Sequence, residues 1–260
     1  MMKNILIIGY GQIGQSIERL YDKERYNVFH FDIKDEKSPE FGDTENIDVM
    51  HICTPFNETF IPDSIDYIHT FGPKLVIIES TVLFMSTDII ASNVDAHVVH
   101  SPVMGKHPNL TESIQTFKKV IAGYTTEAVT LAEEHYKELG IEIVKFDSPE
   151  ESEIAKLLCT TYYGWNIMFM QEVHALCEEW NLNFDQIYTQ MNQIYNEGYN
   201  KMGNPQFTRP VLKYMGEDIG GHCVKPNLLL LKESKMLLNI VNPILKRGKN
   251  VAISVDSRIC

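Results

Sequence analysis

The chain of 260 residues reads as an α/β protein: an N-terminal doubly wound, mostly parallel sheet of Rossmann type, then a mostly helical domain joined to it by a long helix. Three observations predict this. Apolar runs of strand length alternate with amphipathic segments through the first half. The first run leads into G-x-G-x-x-G at Gly9, Gly11 and Gly14. From Ser148 an apolar pattern of helical spacing runs to Trp180, longer than ordinary helices. A dinucleotide-binding domain is therefore expected over 1–147 and a helical dimerisation or substrate domain over 148–260.

The first strand is NILII at 4–8. Gly9 allows the tight turn that follows it, Gly11 lets a pyrophosphate approach the backbone, and Gly14 lets the next helix pack close to the strand. That helix carries Ile13, Ile17 and Leu20 on one face, and its N-terminus over Gly11, Gln12 and Ile13 offers N–H groups to phosphate. Val28, Phe29 and Phe31 form a second strand that ends at Asp32, 23 residues after Gly9. A carboxylate there accepts from both ribose hydroxyls and repels a 2′-phosphate, which predicts NAD rather than NADP, although Lys34 nearby acts the other way. Strands are expected at 48–55, 73–82, 96–103, 117–123 and 141–146. Ligands bind at the carboxyl ends of such strands, where Thr54, Pro55, Ser80, Thr81 and Ser101 fall. Each of these alone is also consistent with a turn or a cap, and Ser80 at least as much so as with a ligand site.

The long helix opens on an N-cap at Ser148, a first-turn proline at Pro149 and a capping-box acid at Glu151. Ile154, Leu158, Thr161, Trp165, Met168, Val173, Leu176 and Trp180 keep its helical spacing, and Lys156, Thr160 and Tyr163 share another face. A lysine on that face would stabilise charge developing on a reacting oxygen, unless it is simply solvated. Residues 183–202 predict one more helix. Cys223 then sits in a glycine-rich loop before a helical pattern that Pro226 opens and that runs through Leu228–Leu238. That setting favours the thiolate, with His222 adjoining and Lys225 close in sequence. The last residues, with Cys260, read as a frayed end.

The net charge is −12, which argues against nucleic acid or an anionic membrane as partner but not against a small anionic substrate. The five cysteines are scattered and no CxxC pair occurs, so neither zinc nor a disulfide framework is predicted. There is no signal-peptide pattern and no membrane-length apolar run, which predicts a cytoplasmic protein. The aromatic bulk of the long helix at Trp165, Met168, Phe169, Met170 and Trp180 predicts a homodimer built on it.

Six stretches taken together resemble the UDP-glucose/GDP-mannose 6-dehydrogenases, of the 6-phosphogluconate/β-hydroxyacid dehydrogenase-like superfamily. They are the glycine motif, ESTV at 79–82, SPVMG at 101–105, ESEIAKLL at 151–158, QEVHALCEEWNL at 171–182 and GGHCVKPN at 220–227. The resemblance implies two oxidations of a sugar-nucleotide primary alcohol by NAD. It implies Cys223 as the thiol that forms a thiohemiacetal and then a thioester, Lys156 as the oxyanion's partner, and Thr81 near the nicotinamide and the catalytic water. The chain departs from the family pattern at Val103 and Asn227, where the family has carboxylates, at Thr160, where it has asparagine, and at Gln171-Glu172, where it has Asn-Glu. The chain also ends where the family's nucleotide-binding C-terminal domain would begin, which implies a fragment or a smaller substrate. Two other readings stand beside this one. One is a β-hydroxyacid-type dehydrogenase that uses Lys156 alone. The other is a catalytically degenerate NAD-binding protein, which the lost carboxylates favour and the retained Lys156, Cys223 and Thr81 oppose.

Overall fold

The computed structural model describes residues 2–33, 46–105, 109–216, 218–219 and 223–247, in two compact units, 1–156 and 157–260. The first unit opens with β1 (Lys3–Ile8), α1 (Gln12–Glu18) and β2 (Tyr26–Phe31). It continues with β3 (Val49–Ile52), α2 (Phe60–Phe71), β4 (Leu75–Ile78), α3 (Ser86–Ala91) and β5 (His97–His100). Then come α4 (Leu110–Thr116), β6 (Lys119–Gly123), α5 (Thr126–Glu138) and β7 (Ile143–Lys145). β3 to β7 fall within runs that the sequence marks, and β1 and β2 begin one and two residues before theirs.

The strands pair in the order β2-β1-β3-β4-β5-β6-β7. The chain leaves β1 for β2 and comes back across it to β3, so β1 and β3 flank the point where the winding reverses. β1 to β5 are parallel. β6 runs antiparallel to β5, with Val99 opposite Gly123 and His100 opposite Ala122, and β7 is parallel to β6. The last two strands therefore depart from the doubly wound parallel pattern. Their reversal carries Lys119, the first residue of β6, to the edge at which the five parallel strands end.

The strand sequences are continuous apolar runs rather than alternations because both faces of the sheet are covered. Ile5, Ile7, Val49, Leu75, Ile77 and Val99 pack on one face with Ile17, Ile114, Ala132 and Tyr136. Leu6, Ile8, Met50, Ile52, Val76 and Ile78 pack on the other with Phe60, Ile68 and Ile90. Burying one such side chain is worth roughly 1.5–3 kcal/mol relative to leaving it exposed.

α6 (Pro149–Glu179) is 31 residues long and spans the division between the units. A π-helical stretch, Asp185–Gln190, leads into α7 (Met191–Lys201), and α8 (Val224–Glu233) and α9 (Leu238–Arg247) follow. The helical pattern expected through Leu238 is thus two helices, parted where Lys235 and Leu237 take positive φ. The second unit's core is Leu157, Met168, Ile219, Val224, Leu228, Leu231, Val241 and Ile244. The apolar stripe expected along α6 divides between two faces. Leu157, Thr161, Met168 and Gln171 are buried, whereas Leu158, Trp165, Leu176 and Trp180 are exposed. Adjacent residues differ by about 100° around a helix, so Leu157 and Leu158 point to different surroundings.

Candidate functional site

The turn after β1 is shaped by its glycines. Gly9 has φ +89°, and a Cβ there would stand 2.9 Å from the Thr54 backbone nitrogen. A Cβ on Gly14 would lie 2.1 Å from the Gly9 carbonyl oxygen, so only glycine lets α1 sit this close to the turn. Gly11 differs: a Cβ there would meet no atom within 4 Å among the described residues. Space therefore lies over the backbone where α1 begins, as an approaching phosphate requires. Asp32 follows β2 beside this turn, and its Oδ2 accepts from the Tyr10 N–H at 2.8 Å. The Gly9 N–H donates to the Phe31 carbonyl at 2.8 Å. The sequence reading did not single out Tyr10. Its ring stacks on His30 with centroids 3.8 Å apart, and its hydroxyl bonds to Glu18, which steadies the turn. An aromatic residue between two glycines was the available signal.

At the ends of β3 and β4 the Ser80 hydroxyl donates to the Thr54 carbonyl at 2.6 Å, and Ser80 is buried. Its hydroxyl ties two loops together. Thr54 and Thr81 are half-buried beside it, and Pro55 is exposed.

Beneath the strand ends, in the apolar layer on the α5 side, lies a polar network that the sequence reading missed. Glu79 follows β4 and is 1% exposed, and it accepts from Lys119 Nζ at 2.5 Å and pairs with His51 Nδ1 at 3.0 Å. The Tyr136 hydroxyl donates to Glu79 at 3.2 Å and lies 3.0 Å from the Ser101 hydroxyl, while Lys119 also donates to the Ser101 carbonyl at 2.6 Å. Tyr21 extends the network, with its hydroxyl 2.5 Å from His51 Nε2 and 2.9 Å from His135 Nε2. Burial alone would raise the Glu79 carboxyl, but Lys119 and His51 overcome it and hold it at about 2. Burial lowers His100 to about 4 and His135 to about 3. A carboxylate so paired and so buried is closed to water.

The first turns of α6 are tied to this sheet. The Glu151 N–H donates to the Ser148 hydroxyl at 3.4 Å, and the Asp147 N–H donates to the Glu151 carboxylate at 3.1 Å, a capping box displaced by one residue. Ser152 meets His100 Nδ1 at 2.8 Å. Glu153 accepts from the Met85 N–H at 2.6 Å and the Thr87 N–H at 2.8 Å, closing the start of α3. Burial raises its carboxyl to about 7, against the donors that favour the charged form. Lys156, in the next turn, donates from Nζ to the Val103 carbonyl at 2.7 Å.

In the second unit, Cys223 is exposed at the N-cap of α8. α8 lies close to α6 because Gly164 has no side chain: a Cβ there would be 2.9 Å from Val224. One turn beyond the thiol, the Asn227 amide donates to the Thr160 hydroxyl at 3.0 Å, and Thr160 donates to the Leu157 carbonyl. Two of the positions at which the chain departs from the family pattern are therefore partners of one another, and both are uncharged. A third, Gln171, donates to the carbonyls of Gly216 and Asp218 at 3.0 and 3.3 Å and anchors the segment that leads to Cys223. Lys225 is 3.9 Å from Asp218. Gly220, Gly221 and His222 of the thiol loop, Lys34 and Cys260 lie outside the described residues. Val103 is buried.

Residues 150–251 match the model of the UDP-glucose/GDP-mannose dehydrogenase family, central domain. A UDP-N-acetyl-D-mannosamine dehydrogenase of Methanococcus vannielii is 22% identical over 86% of this chain and 60% of its own length. The chain thus spans about three fifths of the curated relatives it matches. In fold it superposes on a UDP-D-ManNAc dehydrogenase of Pyrococcus horikoshii with a TM-score of 0.77 at 19% identity, covering 94% of this chain and 68% of that one. A Mycobacterium tuberculosis 3-hydroxyisobutyrate dehydrogenase matches with a TM-score of 0.68 at 14% identity, covering 95% and 92%. The likeness to the UDP-glucose/GDP-mannose dehydrogenase family thus lies in its central domain, over residues 150–251, with more distant similarity along most of the chain.

Proposed function

We propose that the protein is an NAD-dependent oxidoreductase acting on a primary alcohol or aldehyde, carried on a sugar nucleotide or a smaller molecule. The observation that carries the cofactor assignment is the turn at Gly9–Gly14. It is open over Gly11, with the Asp32 carboxylate held at its rim by the Tyr10 N–H. Gly11, Gln12 and Ile13 would face the pyrophosphate, Asp32 the adenosine ribose, and Thr54, Pro55 and Ser80 the cofactor along the strand ends. NAD, when bound, supplies the hydride acceptor.

Cys223 takes the nucleophile's role: it is exposed and caps a helix, and its thiolate would capture an aldehyde as a thiohemiacetal. Lys156 stabilises the oxyanion, and Thr81 stands near the nicotinamide end. Release of an acid from a thioester needs an activated water, and a carboxylate is the usual base. Val103 and the Asn227–Thr160 pair offer none. The acid is therefore released slowly, or the reaction ends at the aldehyde. Location in the cytoplasm and a homodimer built on α6 belong to the same reading; among the described residues no helix is long and apolar enough to cross a membrane.

The test is NADH formation with a panel of UDP- and GDP-sugars, comparing the parent protein with Cys223→Ser and Lys156→Ala. Cys223→Ser should abolish acid formation and leave NAD binding intact. Mass spectrometry of the parent after turnover should find an adduct on the 220–232 peptide. Acid formed by Cys223→Ser at the parent rate would remove the thiol from the mechanism. The β-hydroxyacid reading with Lys156 alone would then stand, a reading that the near full-length fold match to the 3-hydroxyisobutyrate dehydrogenase supports.

A further inference from the structure

We propose that Glu79 and Lys119, buried beneath the strand ends, are positioning residues that hold the Ser101–Val103 turn so that the Val103 carbonyl fixes the Lys156 ammonium. The proposal rests on the reading that Lys156 serves the reacting oxygen. The connection is continuous. Lys156 Nζ donates to the Val103 carbonyl at 2.7 Å, and the Val103 N–H donates to the Glu79 carbonyl at 3.1 Å. Lys119 clasps the turn from below, at the Ser101 carbonyl, and also donates to the Glu79 carboxylate. Tyr136 bridges the same carboxylate to the Ser101 hydroxyl. The Val103 peptide is thus held through Glu79 and Ser101, both of which answer to a single buried ion pair.

Stability alone is a poor reason for that pair. Two charges 2% and 0% exposed cost desolvation energy that their attraction barely repays, and apolar replacements of equal volume are often neutral or better. What an ion pair adds is direction. It lies at the ends of three neighbouring strands, and β6 reverses so that its first residue reaches this edge. Ser152 on His100, and Glu153 on Met85 and Thr87, fix the helix backbone below Lys156. The turn then has only the flexible end of the lysine left to place.

The test needs no substrate. Limiting acetic anhydride is applied to the full chain, and mass spectrometry reads acylation of Lys156 relative to exposed Lys23 and Lys74 in the same sample. A held ammonium must give up its bond before the amine reacts. In the double variant Glu79→Gln/Lys119→Met, which leaves neither charge alone, Lys156 should label about tenfold faster or more, the factor for losing one charge-assisted hydrogen bond. Tyr136→Phe, isosteric and without a change of charge, should raise it by about two- to fivefold, as for a neutral bond. Circular dichroism confirms that each variant is folded, and if the double variant is not, Tyr136→Phe decides. Folded variants whose Lys156 labels at the parent rate would overturn the proposal and leave the pair a structural one. Loss of the functional reading shows elsewhere, as Lys156→Ala turning over substrate like the parent, and does not disturb the labelling result.

Discussion

At the residue scale, the glycines of the first turn serve different ends, and substitution separates them. Gly14→Ala forces a Cβ to within 2.1 Å of a carbonyl oxygen. It should destabilise the protein by about 1–3 kcal/mol or more, read as a lower denaturation midpoint. Gly11→Ala meets no described atom, so the midpoint should hold while NAD affinity, measured by calorimetry, falls. Asp32→Ala should weaken NAD and narrow the preference over NADP; equal or tighter NADP binding by the parent would reject the assignment. Titration tests the buried network. His100 and His135 are held neutral, lowered from 6.5 to about 4 and about 3, so the unfolded chain binds more protons below pH 6.5. Stability is then lost as pH falls from about 6.5 towards 4. The Glu79 contribution, present above about 4.5, goes as pH falls towards 2. Glu153 works the other way between about 4.5 and 7, because its folded form keeps its proton longer. His135→Leu should remove about one proton from those taken up on unfolding near pH 5, flattening the stability slope by about 1.4 kcal/mol per pH unit. Denaturant titrations at a series of pH values measure it, and an unchanged slope would mean that His135 is charged in the fold.

At the scale of elements, α6 carries the argument. Its buried face runs Leu157, Thr161, Gly164, Met168 and Gln171, and it receives α8 at Gly164. Gly164→Leu should push α8 away, costing about 1–3 kcal/mol by overpacking, and alter the rate at which Cys223 reacts with a thiol reagent. A variant of parent stability and parent thiol reactivity would show that the close approach is dispensable. The caps at Ser148 and Glu151 and the spacing beyond them marked this helix in the sequence. Which of its apolar residues turn inward was not marked, because Leu157 and Leu158 are equally apolar and only the partner helices distinguish them. The same holds for β6: its residues announce a strand, but strand direction depends on the path of the connecting chain.

At the scale of the whole molecule, α6 leaves Leu158, Tyr162, Trp165, Phe169 and Leu176 exposed at spacings of three, four and seven residues, with Trp180 exposed just past its end. Met168 and Met170, expected to add to this bulk, are buried within the chain instead. These are the side chains that the proposed homodimer would cover. Sedimentation should give the mass of two chains, and Trp165→Glu/Phe169→Glu should return it to one. A parent mass of one chain at every concentration would remove the dimer.

The sequence by itself determined the strand and helix content, the glycine turn with its acid, and the family likeness of the central domain, because each is written in local spacing: apolar runs, glycines at fixed offsets, caps and a thiol motif. The tertiary structure decided what those residues touch. Glu79 in ESTV reads as one residue of a motif, yet Lys119, forty residues later, pairs with it and closes it off from water. Lys119 reads as an ordinary strand lysine until the reversal of β6 places it under three strand ends. Thr160 and Asn227 read as two separate losses and turn out to be one hydrogen bond. Such pairings join residues far apart in the chain. No local pattern encodes them, because their energy arises only when folding removes water from both partners at once.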